Sequence, residues 1–383
     1  MSALTTQVVE SFARAAGFAT AGIAAVPAPD SPQDREERGR FDEWVEAGHA
    51  GEMDYLKRRD EAGSLLRSSV RVALPWARSV IVCAANYNSA EPRSTDPAPS
   101  DAGWIARYAW SSKDDRPSDY HKVLKRRLES LRDQLTAALG TFESRCFVDT
   151  GPVVERVYAR YAGIGWTGKN TCILNQKLGS WLFLGVIVTS LEVGAEPGPA
   201  QLAPDRCGSC TRCIDACPTG ALTGPRQMDA SRCIAYLTIE KRGAIPEDLR
   251  SLIGRQVFGC DICQDVCPWN RRAPIAVDPD LAPRTALVNP ALDWLAEMDE
   301  PQWERWFNGS PVRRSQFSGF CRNLAIAMGN SGQHKFLPTL RAWADDPDPA
   351  LSDAAHWAVQ RLDHGDDEPA DASGPIANPA QPG

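Results

Sequence analysis

The sequence contains no long apolar run. Its longest apolar stretch, WLFLGVIV at 181–188, has eight residues, whereas a helix that spans a membrane needs about 20. This absence excludes a transmembrane helix and favours a buried strand for the stretch. The N-terminal segment also lacks the basic and apolar regions of a secretory signal peptide. We therefore expect a cytoplasmic protein with no membrane partner.

Cysteine is abundant, with 12 among the 383 residues. Because a reducing compartment disfavours disulfides, these cysteines are predicted to be thiolates with a chemical role. The apolar fraction of 43% excludes a wholly disordered chain. At this length, two or three domains are expected.

The net charge of −7 is unevenly distributed. Residues 345–383 contain nine acidic residues and one basic residue, Arg361, whereas residues 305–341 contain six basic residues and no acidic one. The overall charge argues against a nucleic-acid partner, but its distribution leaves a basic segment that permits one. The acidic end, from residue 363 onward, is predicted to be disordered.

The cysteines of the middle segment follow the spacing of bacterial ferredoxins. A first run, C-x2-C-x2-C-x3-C followed by proline, occupies 207–218. A second run at 260–268 lacks the first cysteine of the pattern, and Cys233 can supply the missing thiolate. Since the fourth cysteine of each run ligates the neighbouring cluster, we predict two 4Fe-4S clusters. Their ligands are, in the first, Cys207, Cys210, Cys213 and Cys267, and, in the second, Cys217, Cys233, Cys260 and Cys263.

Zinc is the alternative metal, because paired C-x2-C motifs also form zinc sites. Zinc sites rarely use three closely spaced cysteines followed by a fourth and proline, twice in one segment. Iron–sulfur clusters are therefore favoured, and they predict an electron relay. The remaining cysteines lie in apolar patterns and are interpreted as core residues. They are Cys83, Cys146, Cys172 and Cys321.

The N-terminal half has the pattern of a mixed α/β domain. An amphipathic helix is predicted over 5–16, and a buried strand over 79–87. A short strand over 146–148 ends at Asp149, and a helix follows over 153–161. This region is long enough to form a domain of its own.

The C-terminal half has a different pattern. A Pro- and Gly-rich stretch at 194–205 predicts a domain boundary. Residues 285–362 are predicted to be helical, and the stretches 320–330 and 353–362 resemble each other loosely. The turn that a two-helix repeat would need is present at 345–350.

A glycine motif, G-x-G-x-x-G, begins at Gly163. A dinucleotide-binding fingerprint follows a strand and opens a helix. Here the motif follows a predicted helix and leads into a predicted strand, so that interpretation is rejected. The glycines either let a loop approach a large planar or phosphate-bearing ligand, or simply form a turn.

Asp149 is a candidate functional carboxyl group. One interpretation is a helix-entry cap, for which aspartate is well suited. The other is a carboxyl group that faces a pocket, where burial would keep it protonated as a proton donor. The residues alone do not choose between the two.

Several segments together resemble the epoxyqueuosine reductase family, over about residues 1–362. They are VDTGPVVERVYARYAGIGWTGKNTCILN (148–175), CGSCTRCIDACPTGAL (207–222), CIAYLTIEKRG (233–243), FGCDICQDVCPWN (258–270) and SPVRRSQFSGFCRNLAIAMGN (310–330).

The resemblance implies a cobalamin- and iron–sulfur-dependent reductase. Such enzymes convert epoxyqueuosine at the wobble position of tRNA to queuosine, with two electrons taken up and one water released. The implied fold is α+β and multidomain. It comprises an α/β cobalamin-binding domain (1–195), a two-cluster ferredoxin-like domain (196–275), a HEAT-like helical tRNA-binding domain (276–362) and an acidic tail (363–383).

The resemblance also implies roles for individual residues. Asp149 falls on the proton-donor position of the family's VD-[ST]-x-P motif. The implied cobalamin-lining residues are Asp149, Thr167, Gly168, Lys169, Asn170, Leu237 and Thr238. The D-x-H-x-x-G cobalamin motif is absent, because Leu124 stands where glycine is needed. We therefore expect a cofactor without a histidine ligand.

A tRNA substrate would explain the basic segment. Arg313, Arg314 and Arg322 are predicted to contact its phosphates. We further expect a monomer that receives electrons from an unidentified low-potential donor. Two alternative functions are a reductive-dehalogenase-like cobalamin enzyme and a non-enzymatic electron carrier.

Overall fold

The computed structural model describes residues 4–114, 116–194 and 202–364. Most of the predicted linker at 194–205 and nearly all of the predicted acidic tail lie outside these residues. No helix in the described part of the chain is long and apolar enough to cross a membrane. The helices are Thr6–Ala15 (α1), Pro32–Glu46 (α2), Val70–Ala73 (α3), Tyr120–Leu139 (α4), Glu155–Tyr161 (α5), Arg212–Asp215 (α6), Ile234–Ile239 (α7), Glu247–Ile253 (α8), Ile262–Asp265 (α9), Leu292–Ala296 (α10), Glu300–Trp306 (α11), Gln316–Asn330 (α12), Leu337–Ala344 (α13) and Pro349–His364 (α14).

The strands alternate with the helices in the first half of the chain and become sparse in the second. This mixture confirms the predicted α+β class. The strands are Thr20–Ala25 (β1), Ser79–Asn86 (β2), Trp104–Ile105 (β3), Ser111–Lys113 (β4), Arg116–Pro117 (β5), Ser144–Phe147 (β6), Trp166–Thr167 (β7), Ile173–Leu174 (β8), Leu182–Thr189 (β9), Gln256–Phe258 (β10) and Ala282–Pro283 (β11).

A four-stranded antiparallel sheet forms the core of the N-terminal half, in the order β1-β2-β9-β6. The predicted strand at 79–87 is confirmed as β2, and all its residues except Asn86 are buried. The helix α4 covers the sheet with a row of four fully buried leucines. At Gly185 a Cβ would lie 2.9 Å from Leu128, so glycine permits this close approach. The sheet thereby fixes β6, whose end carries Asp149.

The predicted helices of the N-terminal half are confirmed with small shifts at their ends. The helix α1 begins one residue later than predicted, because Thr5 is its N-cap and accepts a hydrogen bond from the Val8 amide. The helix α5 begins at Glu155 rather than at 153. Val154 precedes it with a non-helical backbone, so the residues after Asp149 form a bend before the helix starts.

The C-terminal helices share one apolar core with the cysteine-rich segment. The helix α12 is buried throughout 320–329 and packs against α14, α7, α8 and β10. The same core joins Ile105 and Phe258 to Leu324. The predicted helices and the turn at 345–350 are thereby confirmed, whereas the HEAT-like arrangement stays a prediction.

Candidate active site and cysteine centre

Asp149 lies just beyond β6, with its backbone in the left-handed region at a φ of 59°. Its side chain is exposed, so the predicted burial of this carboxyl group is wrong. The bend before α5 turns it outward. The Tyr120 hydroxyl donates a 3.0 Å hydrogen bond to Asp149 Oδ2. The Asp149 amide donates a 2.9 Å bond to Glu155 Oε1. The backbone amide and Oδ2 of Asp149 are therefore fixed by hydrogen bonds, while its Oδ1 accepts no hydrogen bond from the described residues.

Aromatic side chains form the floor beneath Asp149. Tyr120 stacks on Phe183, with ring centroids 4.1 Å apart, and on His121 at 4.0 Å. Tyr108 meets Tyr120 edge-on. Burial, together with the charge of Asp149, raises the pKa of both tyrosines well above its usual range. Their hydroxyl groups therefore stay protonated and act as hydrogen-bond donors.

Charged residues from distant parts of the chain border the site. Arg314 pairs with Glu240 at the end of α7. Its guanidinium group also lies 5.4 Å from the ring centroid of Tyr55, as does that of Arg67. The interactions with Glu240, Tyr55 and Asp149 raise the pKa of Arg314 against the opposing effect of burial. The site therefore places one carboxylate, tyrosines and a cation side by side.

Glu155 is a buried carboxyl group directly behind Asp149. Desolvation by burial, followed by the charge of Asp149, raises the pKa of Glu155 from 4.5 to about 7. The folded protein therefore binds a proton between these pH values that the unfolded chain releases. The stability that this proton provides is present at low pH and is lost as pH rises through this window.

Glu155→Gln is expected to reduce the pH dependence of the free energy of unfolding in this window. For the wild type, the free energy of unfolding should fall by up to about 3 kcal/mol between pH 4.5 and 7.5, at about 1.4 kcal/mol per pKa unit. The amide does not titrate, so the variant should lose that slope. Urea unfolding at a series of pH values measures it. Parallel curves for the two proteins would show that Glu155 is not the titrating group.

The eight predicted cluster ligands are all free cysteines, and no group of three or more metal-ligating side chains is assembled among the described residues. Cys267 and Cys207 pack together against Trp166 and Leu174, and burial, followed by the charges of Cys207 and Cys213, raises the pKa of Cys267 to about 11. In the second group, burial and then the neighbouring thiolates raise the pKa of Cys260 well above its usual range. The thiolates of the second group that interact in this way are Cys217, Cys233, Cys260 and Cys263.

These contacts accord with the partition that the sequence predicts, which stays a prediction. Four thiolates in each group are the number that a 4Fe-4S cluster takes. The short helices α6 and α9 pack against each other and hold the two runs side by side.

Cys172 does not lie in the core, contrary to its interpretation from sequence. Its sulfur hydrogen-bonds with that of Cys263, and this contact lowers the pKa of Cys172. Two neighbouring residues also contact the cysteine loops. Lys169 Nζ donates to the carbonyl oxygens of Gly208 and Cys210, at 2.7 and 2.9 Å. Asn170 donates to the Cys263 carbonyl at 3.2 Å.

The residues predicted to line cobalamin are partly corrected. Asn170, Leu237 and Thr238 are buried, with 4%, 1% and 1% exposure. The Thr238 hydroxyl donates to the Ile234 carbonyl and accepts from the Gly259 amide. These three side chains are therefore engaged within the protein, and they do not form an open cofactor surface.

The glycine motif resolves in favour of a turn. At Gly165 a Cβ would lie 2.2 Å from the Leu174 carbonyl oxygen, and at Gly168 it would lie 2.7 Å from Asn170. Glycine is required because β7 and β8 pack closely as a hairpin. Of the predicted lining loop, Thr167 and Lys169 are partly exposed.

The three predicted tRNA-contacting arginines differ in exposure. The side chains of Arg313 and Arg314 are each 46% exposed. Arg322 is 2% exposed, and the prediction that it contacts phosphate is wrong. Its guanidinium group donates to carbonyl oxygens between Leu237 and Gly243, and burial lowers the pKa of Arg322 to about 10. The carbonyl end of α7 favours a cation there.

Comparison with known proteins agrees with this geometry. A model of the 4Fe-4S double cluster binding domain matches residues 206–270. A model of epoxyqueuosine reductase QueG matches residues 67–150. The epoxyqueuosine reductase of Pseudomonas aeruginosa is 38% identical over 362 residues, which cover 94% of each chain. That of Escherichia coli is 36% identical and covers 85% of this chain and 82% of its own.

Solved structures are similar over nearly the whole chain. An epoxyqueuosine reductase in complex with an epoxyqueuosine-modified tRNA-Tyr stem loop has a TM-score of 0.80 and 28% identity, covering 93% of this chain and 89% of that one. The enzyme from Streptococcus thermophilus has a TM-score of 0.76 and 28% identity, covering 94% and 90%. The chain described here belongs to the epoxyqueuosine reductase family.

Proposed function

We propose that this chain reduces epoxyqueuosine to queuosine at the wobble position of tRNA, the last step of queuosine biosynthesis. The observation that carries the proposal is an exposed carboxyl group, Asp149, just beyond β6, in a chain that also carries two ferredoxin-type cysteine runs held side by side. Removing an epoxide oxygen as water consumes two electrons and two protons. An acid at the oxygen and an electron relay are therefore what the reaction requires.

The cysteine groups are proposed to hold the two clusters with the partition given above. Cobalamin is proposed as the further cofactor, and the support is the resemblance of the whole chain to its family. When bound and reduced, cobalamin supplies a strong nucleophile or reductant for the epoxide carbon. Thr167 and Lys169, which are partly exposed, stay the candidate contacts among the residues of the loop, whereas Gly168 is buried.

Asp149 is proposed to donate the proton to the epoxide oxygen. The Tyr120 hydroxyl holds one carboxylate oxygen, so the other can point toward substrate. A tRNA that covers the exposed carboxyl group of Asp149 would also exclude bulk water from the site of proton transfer. Glu155 lies behind it and carries a second exchangeable proton near neutral pH. A Bacillus subtilis relative has been solved with its catalytic aspartate loop swung out of the active site, and Asp149 lies in such a bend.

The remaining organisation is proposed from the resemblance. We propose a cobalamin domain at 1–195, a ferredoxin-like domain at 196–275, a HEAT-like tRNA-binding domain at 276–362 and an acidic tail. A monomer in the cytoplasm with a low-potential electron donor accords with this assignment. The basic segment, with Arg313 and Arg314 exposed, supports a phosphate-contacting role for these two residues.

Arg313→Ala is expected to weaken tRNA binding about threefold to tenfold without changing the turnover of bound substrate. Loss of one phosphate contact should also reduce the dependence of log affinity on log salt concentration by about 0.7–0.9. Filter binding at several salt concentrations measures both. Arg341→Ala is the control, since Arg341 is likewise exposed and pairs with a carboxylate, Asp363, as Arg313 does with Glu304, but is not among the predicted phosphate contacts. An unchanged slope for Arg313→Ala would refute the contact.

The proposed function is tested by anaerobic reconstitution. The protein is loaded with iron, sulfide and cobalamin and given epoxyqueuosine-containing tRNA with a low-potential reductant. Queuosine, detected by mass spectrometry of the digested tRNA, is the expected product. If no queuosine forms while an aryl halide is dehalogenated, the reductive-dehalogenase alternative holds instead. If neither reacts although both clusters reduce, the chain is an electron carrier.

A further inference from the structure

The loops that carry the two cysteine runs differ in exposure, because the residues between Cys260 and Cys267 are buried or partly buried. In the first run, Arg206, Gly208, Ser209 and Thr211 are exposed around the partly exposed Cys207. This loop therefore lies at the protein surface. A cluster held there is close enough to the surface to exchange electrons with an external partner.

The second group lies on the side of the candidate active site. Cys233 begins α7, whose end carries Glu240, the partner of Arg314. Asp261, next to Cys260, interacts electrostatically with Tyr108, as does Asp149. Electrons that reach the substrate would therefore pass from the first group to the second. Their entry point should be the surface of the first.

That surface is basic, and three of its arginines have no ion-pair partner among the described residues. Arg206, Arg271 and Arg272 are exposed, and no ion pair of any of them occurs among the described residues. Arg206 directly precedes Cys207, and the other two follow Cys267 by four and five positions.

The acidic residues of the same loop do not neutralise these cations. Asp205 pairs with Arg226, and the one other carboxylate of residues 205–217, Asp215, is balanced by Arg212. Net positive charge therefore remains around the first cysteine run.

We propose that this basic face is the docking surface for a small acidic one-electron carrier protein. The inference rests on the proposed function, because it requires clusters in both cysteine groups. Each reduced carrier that docks gives one electron to the first cluster and leaves oxidised. Two carriers are consumed for each epoxide, and the oxygen leaves as water with two protons. Charge complementarity accelerates such encounters and orients the carrier.

Charge reversal tests the docking surface on the reconstituted holoprotein. The variant Arg271→Glu/Arg272→Glu should bind oxidised flavodoxin, used as the acidic carrier, at least about tenfold more weakly at low salt. Its turnover with reduced flavodoxin as electron donor should fall by a similar factor, whereas its turnover with dithionite should stay unchanged. The control Arg14→Glu/Lys125→Glu makes the same charge change on α1 and α4, where both residues are exposed. It should behave as the wild type.

The alternatives give different results. If the variant binds flavodoxin as tightly as the wild-type enzyme does, the proposal is overturned. A loss of tRNA affinity with unchanged flavodoxin binding would overturn it too, by assigning the face to RNA. If the glutamate variant loses iron, Arg271→Gln/Arg272→Gln replaces it, and unchanged flavodoxin affinity in that variant also refutes the proposal. Flavodoxin binding is measured without tRNA, so failure of the proposed function would appear separately, as no queuosine from wild type with dithionite.

Discussion

Asp149→Asn is expected to lower the rate of queuosine formation by about a hundredfold to ten-thousandfold, the usual contribution of a general acid. The amide keeps the shape of the side chain and can still accept the hydrogen bond from Tyr120 through its oxygen. It cannot deliver a proton to the epoxide oxygen. Single-turnover assays with reconstituted protein and modified tRNA measure the loss.

The cofactors should be unaffected by this substitution. Iron content, cobalamin absorbance and tRNA affinity should match the wild type, because the cysteine groups do not use Asp149. Asp133→Asn is the matched control: this aspartate is 69% exposed on α4 and pairs only with its neighbour Arg132. Near-normal turnover of Asp149→Asn would remove Asp149 from its proposed role.

Cys233→Ala is expected to abolish turnover and to reduce bound iron by about half. Cys233 lies outside both cysteine runs, yet its thiolate interacts with Cys217 and Cys260. Without a fourth thiolate the second cluster should be lost, and the path of electrons to the substrate with it. Iron analysis and electron paramagnetic resonance of the reduced protein measure this change.

The partition of ligands can be tested by the same spectra. Cys217→Ala should remove the same signal as Cys233→Ala, whereas Cys267→Ala should remove the other. Cys83→Ala is the control, because Cys83 is fully buried in β2 and belongs to neither run. It should keep all its iron. Loss of the same cluster from the Cys217 and Cys267 variants would contradict the crossed assignment.

Some features of the site were predictable because they depend on neighbours in the chain. The strand β2 is an unbroken apolar run, and the leucines of α4 recur at helical spacing. The position of Asp149 at the end of a strand likewise follows from the short apolar segment before it. Its exposure does not, because it depends on the bend that separates Asp149 from α5.

Other features could not be predicted, because their partners are remote in sequence. Tyr55, Tyr108 and Glu240 reach the neighbourhood of Asp149 only when three regions of the chain meet. The one local indication of an aromatic environment was the adjacent pair Tyr120 and His121 at the start of α4, directly after its N-cap Asp119. Nothing in its spacing indicated that Tyr120 bonds to Asp149.

Arg322 illustrates the same limit. In a segment without acidic residues, an arginine is expected at the surface. The helix α12 instead lies at the centre of the C-terminal core, so all its residues from 320 to 329 are buried. The carbonyl groups that compensate the charge belong to the segment from Leu237 to Gly243, about 80 positions earlier.

The sequence by itself determined that the middle segment is a double-cluster ferredoxin module, which the comparison confirms. Ferredoxin-type spacing binds clusters through local chain geometry, so the two runs and Cys233 also predict the eight ligands. Only the tertiary structure decided what surrounds Asp149, which of the predicted arginines are exposed, and that Cys172 lies against Cys263. These outcomes depend on packing between distant segments, and the spacing of residues along the chain does not indicate which segments pack together.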